Sequence, residues 1–319
     1  MANITTYSAF NLNNLNLGLL YTNYVYSYFS NDAHYTFGGV TYEDVLEIEY
    51  YYGGYYSTIF GGSGISVSSD GIPTGGTVTG FLDGSYSGGD FYYYYQVSGI
   101  AMSAVAIFNA SATASTADDA ALMVQALSGV DVFSLSAYAD DVRGFGGNDR
   151  ISGNGGDDTL RGDGGNDLVN GGAGADRLFG GGGRDRVNGQ SGNDDLNGGG
   201  GADRLSGGSG DDLLLGQNGR DVLKGNRGND TLNGGGGDDR LVGGGGRDVF
   251  VFGRNSGEDT IRDFNDARDQ IEITSGARRY GQLDFSDSGD DVVVRFAQTT
   301  LILEDVEIAD LTRDVFDFV

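Results

Sequence analysis

Twelve aspartates stand nine residues apart: Asp149, Asp158, Asp167, Asp176, Asp185, Asp194, Asp203, Asp212, Asp221, Asp230, Asp239 and Asp248. Carboxylates at a fixed spacing offer oxygen-donor chemistry, which suits hard cations if the backbone brings successive members together. Competing chemistries are poorly supplied. There is no Cys, so thiolate sites and disulfides are impossible, and the single histidine, His34, excludes zinc or nucleophilic schemes that need two. Neither H-E-x-x-H nor G-x-S-x-G occurs. His34 could serve one Ser-His pair or a haem-type ligand set, and the acid pairs Glu47/Glu49 and Asp118/Asp119 could do glycosidase work. Surface charge accounts for those acids and a structural or exposed role for the histidine, so no catalytic residue is assigned and no enzyme activity is expected.

The aspartates belong to a strict nonapeptide that runs from Gly144 to Val251 without insertion. Counting Gly144 as position one, positions one and four are Gly and position six is Asp in all twelve copies. Position eight is always apolar: Ile151, Leu160, Val169, Leu178, Val187, Leu196, Leu205, Leu214, Leu223, Leu232, Leu241 and Phe250. A flexible Gly-rich linker would not hold an acid and an aliphatic in register. Self-similarity at this period marks a solenoid, in which each unit buries its apolar residue only by stacking on its neighbours.

The pattern G-G-x-G-x-D-x-U-x resembles the RTX, or haemolysin-type calcium-binding, family. The resemblance implies an all-β fold built on a right-handed parallel β-roll solenoid, two nonapeptides to a turn. Six Gly-rich residues would form each loop and three a short strand with its middle side chain inward. Loop carbonyls and the twelve aspartates would then converge between turns as Ca²⁺ ligands, with up to ten inter-loop ions in six turns. One inward side chain in nine is little burial for so much ordered glycine. The expectation is a chain that folds only where calcium is plentiful, outside the cell.

The beat leaks past both ends of the strict block. Ala126 to Arg143 reads as one degenerate turn, with Asp131 and Asp140 at position six and few of the glycines, so their part in calcium ligation stays open. After Val251 the phase slips by two, and Asp259-Thr260-Ile261 and Asp269-Gln270-Ile271 resume it in a segment that resembles an RTX cap. The expected domains are therefore a Tyr- and Gly-rich antiparallel β domain over 1–125, the calcium-binding roll over 126–251, and a C-terminal β cap over 252–319. One helix is expected over 118–127, N-capped by Thr116. The acidic, apolar ending Asp314 to Val319 resembles the uncleaved signal of type I secretion from a Gram-negative bacterium. No N-terminal signal peptide or membrane-spanning run is read.

Net charge is −27, from 46 acids and 19 bases, which disfavours nucleic acid and anionic membrane as partners. Residues 1–142 hold 13 of the acids and no Lys or Arg. On the roll, positions seven and nine point outward. Odd units display Arg150, Arg186, Arg204, Lys224 and Arg240; even units display Phe179, Leu213, Leu215, Val249 and Val251, broken by Arg161, Arg177 and Asp195. A basic face, an apolar face and an acidic N-terminal region point to copies of the same chain as partners, in a secreted structural layer or filament. The Tyr clusters, such as Tyr50–Tyr52 and Tyr92–Tyr95, leave an adhesin for cell-surface glycans as an alternative. A small secreted hydrolase is a third.

Overall fold

The structure, a computed structural model, describes residues 129–135 and 137–319 in full, together with the backbone of strands between Asn3 and Ser103. Contacts divide the chain into two compact units, Met1–Arg150 and Ile151–Val319.

The first unit contains the antiparallel sheet expected from its alternating, Gly-punctuated sequence. Tyr24–Ser30 pairs with Asp44–Tyr51, then Tyr55–Val67, Pro73–Ser87 and Asp90–Ser103 follow as a meander, and Asn3–Thr6 closes on the last of these. Asn3–Thr6 also runs parallel to Val132–Ser134, the first strand of the degenerate turn. In that turn Phe133 and Val142 are buried, as position eight requires. The Arg150 N–H donates to the Asp131 carbonyl at 2.9 Å, an interval of one turn. The helix expected over 118–127, together with His34, Asp118 and Asp119, lies outside the described residues. Glu47 and Glu49 fall on the Asp44–Tyr51 strand, facing Tyr28 and Tyr26 in register.

The second unit is a parallel β-roll. One ladder passes through Leu168–Ala173, Arg186–Ser191, Arg204–Ser209, Val222–Arg227 and Arg240–Gly245. The other passes through Thr159–Gly164, Arg177–Gly182, Asp195–Gly200, Leu213–Asn218, Thr231–Asn233 and Val249–Phe252. Register partners are 18 residues apart, for example Val187 and Leu205 or Leu178 and Leu196, so two nonapeptides do make one turn. The inward residues from Ile151 to Phe250 are at most 1% exposed and form a single-file core.

Most of the strands are six residues long rather than the three expected. Pairing continues from positions seven to nine into the first three positions of the next unit, as in Asp163 with Gly181 and Gly164 with Gly182. Glycine backbone can extend a ladder even where it has no side chain to bury, so the true loop shrinks to positions four to six.

Beyond Val251 the ladder survives the change of phase. Leu241 pairs with Ile261, 20 residues on, and Phe250 with Ile271, 21 residues on. Thr299–Leu303 then adds parallel to Gly257–Ile261, and Phe316–Phe318 parallel to Gln270–Ile273. Asp291–Phe296 and Asp284–Ser288 follow antiparallel on the first of these edges. The cap therefore grows out of the roll as further strands of the same two sheets, and its antiparallel hairpin ends the parallel stacking. Among the described residues no helix is long and apolar enough to cross a membrane.

Candidate metal centre

Each unit has two left-handed positions, one that opens the loop and one in the strand before it. Position four has positive φ in all twelve units, and the turns stack so closely that a Cβ on Gly201 (φ 132°) would overlap the carbonyl oxygen of Gly183 one turn earlier. Position two also has positive φ in all twelve, and there the sequence reading saw no constraint. The signal was present but diluted: six of those residues are Gly, while Asn154, Asp163 and Asn226 are types that tolerate this conformation. Phe145 holds φ 67° there against its steric preference.

These turns deliver every position-six aspartate to the same environment. All twelve are buried, at 3% exposure or less. The backbone N–H of one aspartate donates to Oδ1 of the aspartate one turn later: Asp158 to Asp176 at 2.9 Å, Asp167 to Asp185 at 2.8 Å, Asp194 to Asp212 at 2.9 Å, Asp221 to Asp239 at 2.8 Å. Two carboxylate columns result, one along each edge of the roll. Asp131, in the degenerate turn, follows the same pattern, with its N–H on Asp149 Oδ1 at 2.8 Å and a side chain 1% exposed. Asp140 is likewise buried.

The second oxygen defines the site. From Asp176 to Asp248, Oδ2 of every position-six aspartate is buried without a hydrogen-bond partner. Leaving so many charged acceptors unsatisfied costs far more than a native chain tolerates, unless a cation compensates. The backbone supplies a second acceptor. The point where a Cβ would stand on Gly180 is 2.6 Å from Asp185 Oδ2 and 2.7 Å from the Gly198 carbonyl oxygen. The equivalent point at Gly198 is 2.7 Å from Asp203 Oδ2 and 3.0 Å from Gly216 O. Carboxylate and carbonyl thus converge from successive turns on space that only glycine at position one leaves open, which fits an oxygen-loving divalent ion such as Ca²⁺. Among the described residues no three His, Cys, Asp or Glu side chains cluster, so an ion held here would need backbone carbonyls as well as carboxylates.

A second ladder, which the sequence reading missed, braces the loops from outside. Position-five Asn and Asp side chains accept from the N–H one turn later: Ala175 to Asp157 at 2.8 Å, Asp211 to Asn193 at 3.0 Å, Asn229 to Asp211 at 2.7 Å, Arg247 to Asn229 at 2.9 Å. It runs opposite to the position-six ladder, so each turn is tied both forwards and backwards. Its signal in the sequence was the frequency of Asn and Asp at a position otherwise free.

The columns continue past the phase slip and then close. Asp239 donates its N–H to Asp259 Oδ1 at 3.0 Å, and Asp248 to Asp269 Oδ1 at 3.1 Å. Asp269 Oδ2, unlike its predecessors, accepts from the Asn265 N–H at 2.9 Å, and the Asp263 carboxylate accepts from the N–H groups of Gly243 and Gly244. Protein donors take over at this end of the even column.

Burial pushes the carboxyls of Asp176, Asp185 and Asp230 up to about 6, and those of Asp212 and Asp221 to about 7. Asp259 reaches about 8. The accepted N–H works against the shift in each case, while neighbouring carboxylates in the column add to it. With folded values above the unfolded 3.8, the metal-free roll binds more protons than the unfolded chain. This contribution to stability is complete below about pH 4 and disappears as pH rises through about 6 to 8. Calcium-free protein should therefore gain β-roll circular dichroism on acidification from about pH 8 to about pH 5. A flat or falling signal would contradict the arrangement.

Stacked oxygen columns of this kind define a calcium-binding β-roll. The chain matches the family model described as RTX calcium-binding nonapeptide repeat (4 copies), over residues 126–160, 143–178, 152–187, 179–214 and 215–250. Residues 126–250 therefore carry RTX calcium-binding nonapeptide repeats. No curated protein matches it. Among solved structures it is similar to the extracellular lipase LipA from Serratia marcescens, at 22% identity over 60% of this chain and 40% of that one, with a TM-score of 0.30. It is also similar to the AlgE6R3 subunit of the Azotobacter vinelandii mannuronan C5-epimerase, at 31% identity over 36% of this chain and 77% of that one (TM-score 0.32). The AlgE6R2 subunit of the same enzyme shares 29% identity over 35% of this chain and 91% of that one (TM-score 0.27). The chain spans two fifths of the length of the lipase it matches.

Proposed function

We propose that this RTX protein is a secreted, non-enzymatic structural component that self-associates into an extracellular layer or filament. In this reading the twelve position-six aspartates and their loop carbonyls take up to ten calcium ions, five along each edge. Folding is deferred until the chain leaves a Gram-negative cell by type I secretion, with the acidic, apolar segment Asp314 to Val319 contributing to the export signal.

The observation that carries the reading is the state of the odd face. Arg150, Arg186, Arg204, Lys224 and Arg240 are exposed, and none has an ion-pair partner among the described residues. Arg186 and Arg204 are direct register partners on adjacent strands, where like charges repel. Such a stripe fits the acidic, base-free 1–142 segment of a second copy.

The even face is less bare than its sequence suggests. Phe179, Leu213, Leu215, Val249 and Val251 are half-buried, because side chains on strands about 4.8 Å apart cover one another. Arg161 lies over the Phe179 ring at 5.4 Å, and Arg177 approaches Asp195 at 3.8 Å. This face contributes less to assembly than the basic one. The double variant Arg186→Glu/Arg204→Glu should stay monomeric in calcium while keeping its roll circular dichroism. Wild-type-like particles by light scattering and electron microscopy would reject the proposal.

A further inference from the structure

The cap contains a second concave surface, distinct from the calcium columns. A cleft of about 620 Å³ is lined by Arg278, Arg279, Tyr280, Arg313, Phe316 and Phe318, with Asp317 also on its wall. Its two sides come from different segments and are locked together. The Tyr280 hydroxyl donates to the Leu311 carbonyl at 2.7 Å. The Tyr280 ring lies 5.1 Å from Phe285 and meets Phe316 edge-on at 5.7 Å, and Phe285 and Phe316 are themselves 5.9 Å apart. Three interlocked rings therefore fix the turn that carries Arg278 and Arg279 against the strand Phe316–Phe318, next to Arg313.

All three arginines are exposed, and none forms an ion pair among the described residues. Their setting makes that unusual, since residues 252–319 hold 16 acids and only seven bases. Three uncompensated guanidiniums on an aromatic wall match a ligand with a flat apolar face and a planar anionic group. The surrounding acids exclude a long polyanion, so the anionic group must be presented singly, at a chain end.

We propose that this cleft binds the carboxylate-bearing end of an acidic saccharide, a terminal uronate whose ring lies on the aromatic wall while the arginines hold its carboxylate. The proposal is independent of self-association and of the Tyr-rich region. It is tested by titrating the calcium-loaded full-length protein with methyl β-D-glucuronide, using calorimetry and ligand-observed NMR. Saturable binding is expected, at least about tenfold weaker for neutral methyl β-D-glucoside and for the variant Arg278→Gln/Arg313→Gln. The variant should keep its calcium-loaded circular dichroism and melting temperature. Should it fail to fold, Arg313→Lys, which keeps the charge but removes the planar fork, should still lose affinity several-fold. Absence of glucuronide binding, equal affinity for the glucoside, or undiminished binding by a folded variant would overturn the assignment. Binding of glucose 6-phosphate more than about tenfold tighter than the glucuronide would also overturn it, in favour of a phosphate ligand.

Discussion

Adding a calcium chelator to the folded protein near neutral pH should unfold the β-roll, with loss of its β circular dichroism and of amide protection across the repeats. The argument rests on buried charge. From Asp176 to Asp248, nine Oδ2 atoms have no partner in the protein, and a buried unsatisfied acceptor costs about 1–3 kcal/mol, more when charged. Nine such costs come to about 9–27 kcal/mol before the charge is counted, as much as or more than the ~5–15 kcal/mol by which a domain is ordinarily stable. The single-file core cannot absorb the difference, since each unit contributes one inward side chain. Calcium should restore the signal. Magnesium at equal concentration should not, because it demands a tighter octahedral shell and gives up its water reluctantly. A roll that survives chelation at pH 7 would show that the columns are compensated in some other way.

The second large effect separates two adjacent glycines. Gly201→Ala should destabilise the calcium-loaded roll by ~3 kcal/mol or more, because φ at this position is 132° and the new Cβ would overlap the Gly183 carbonyl oxygen. Gly200→Ala, one residue earlier, should be neutral or slightly stabilising. It has no positive φ, and a Cβ there meets nothing within 4 Å. The two residues occupy positions three and four in a run of four glycines, indistinguishable by composition. Chemical denaturation of the two variants in calcium measures the contrast directly. Equal destabilisation would mean that the turns do not stack at the spacing described.

That contrast also shows what the chain reveals in one dimension. Leu205, Leu214 and their equivalents were legible as core because burial acts on one side chain at a time and leaves a strict apolar mark. Asp203 and Asp212 were legible as a fixed buried acid for the same reason. Backbone requirements leave a weaker trace. Position two demands positive φ in every unit, yet Gln190, Gln217 and even Phe145 meet it, so the constraint shows only as a bias towards Gly and Asn. The six-residue strands were hidden because main-chain pairing at positions two and three fixes no residue type: Asp163 is in register with Gly181, and Gln190 with Gly208. Asp259 and Asp269 were visible as a beat, but only the structure shows the first extending its column and the second closing its own through Asn265. The half-covered even face could not be read from residue types, since the cover over Phe179 is an arginine one strand away. The cap cleft was equally hidden, because Arg278 and Arg313 come to line one cleft only once the Tyr280 hydroxyl has docked on the Leu311 carbonyl.

Anomalous diffraction from crystals grown in calcium tests the central claim most directly. Peaks should line both edges of the roll at intervals of one turn, each between an aspartate Oδ2 and a glycine carbonyl of the following turn, as at Asp185 with Gly198 and Asp203 with Gly216. Density showing those carboxylates solvated by water, with no ion on either edge, would contradict it.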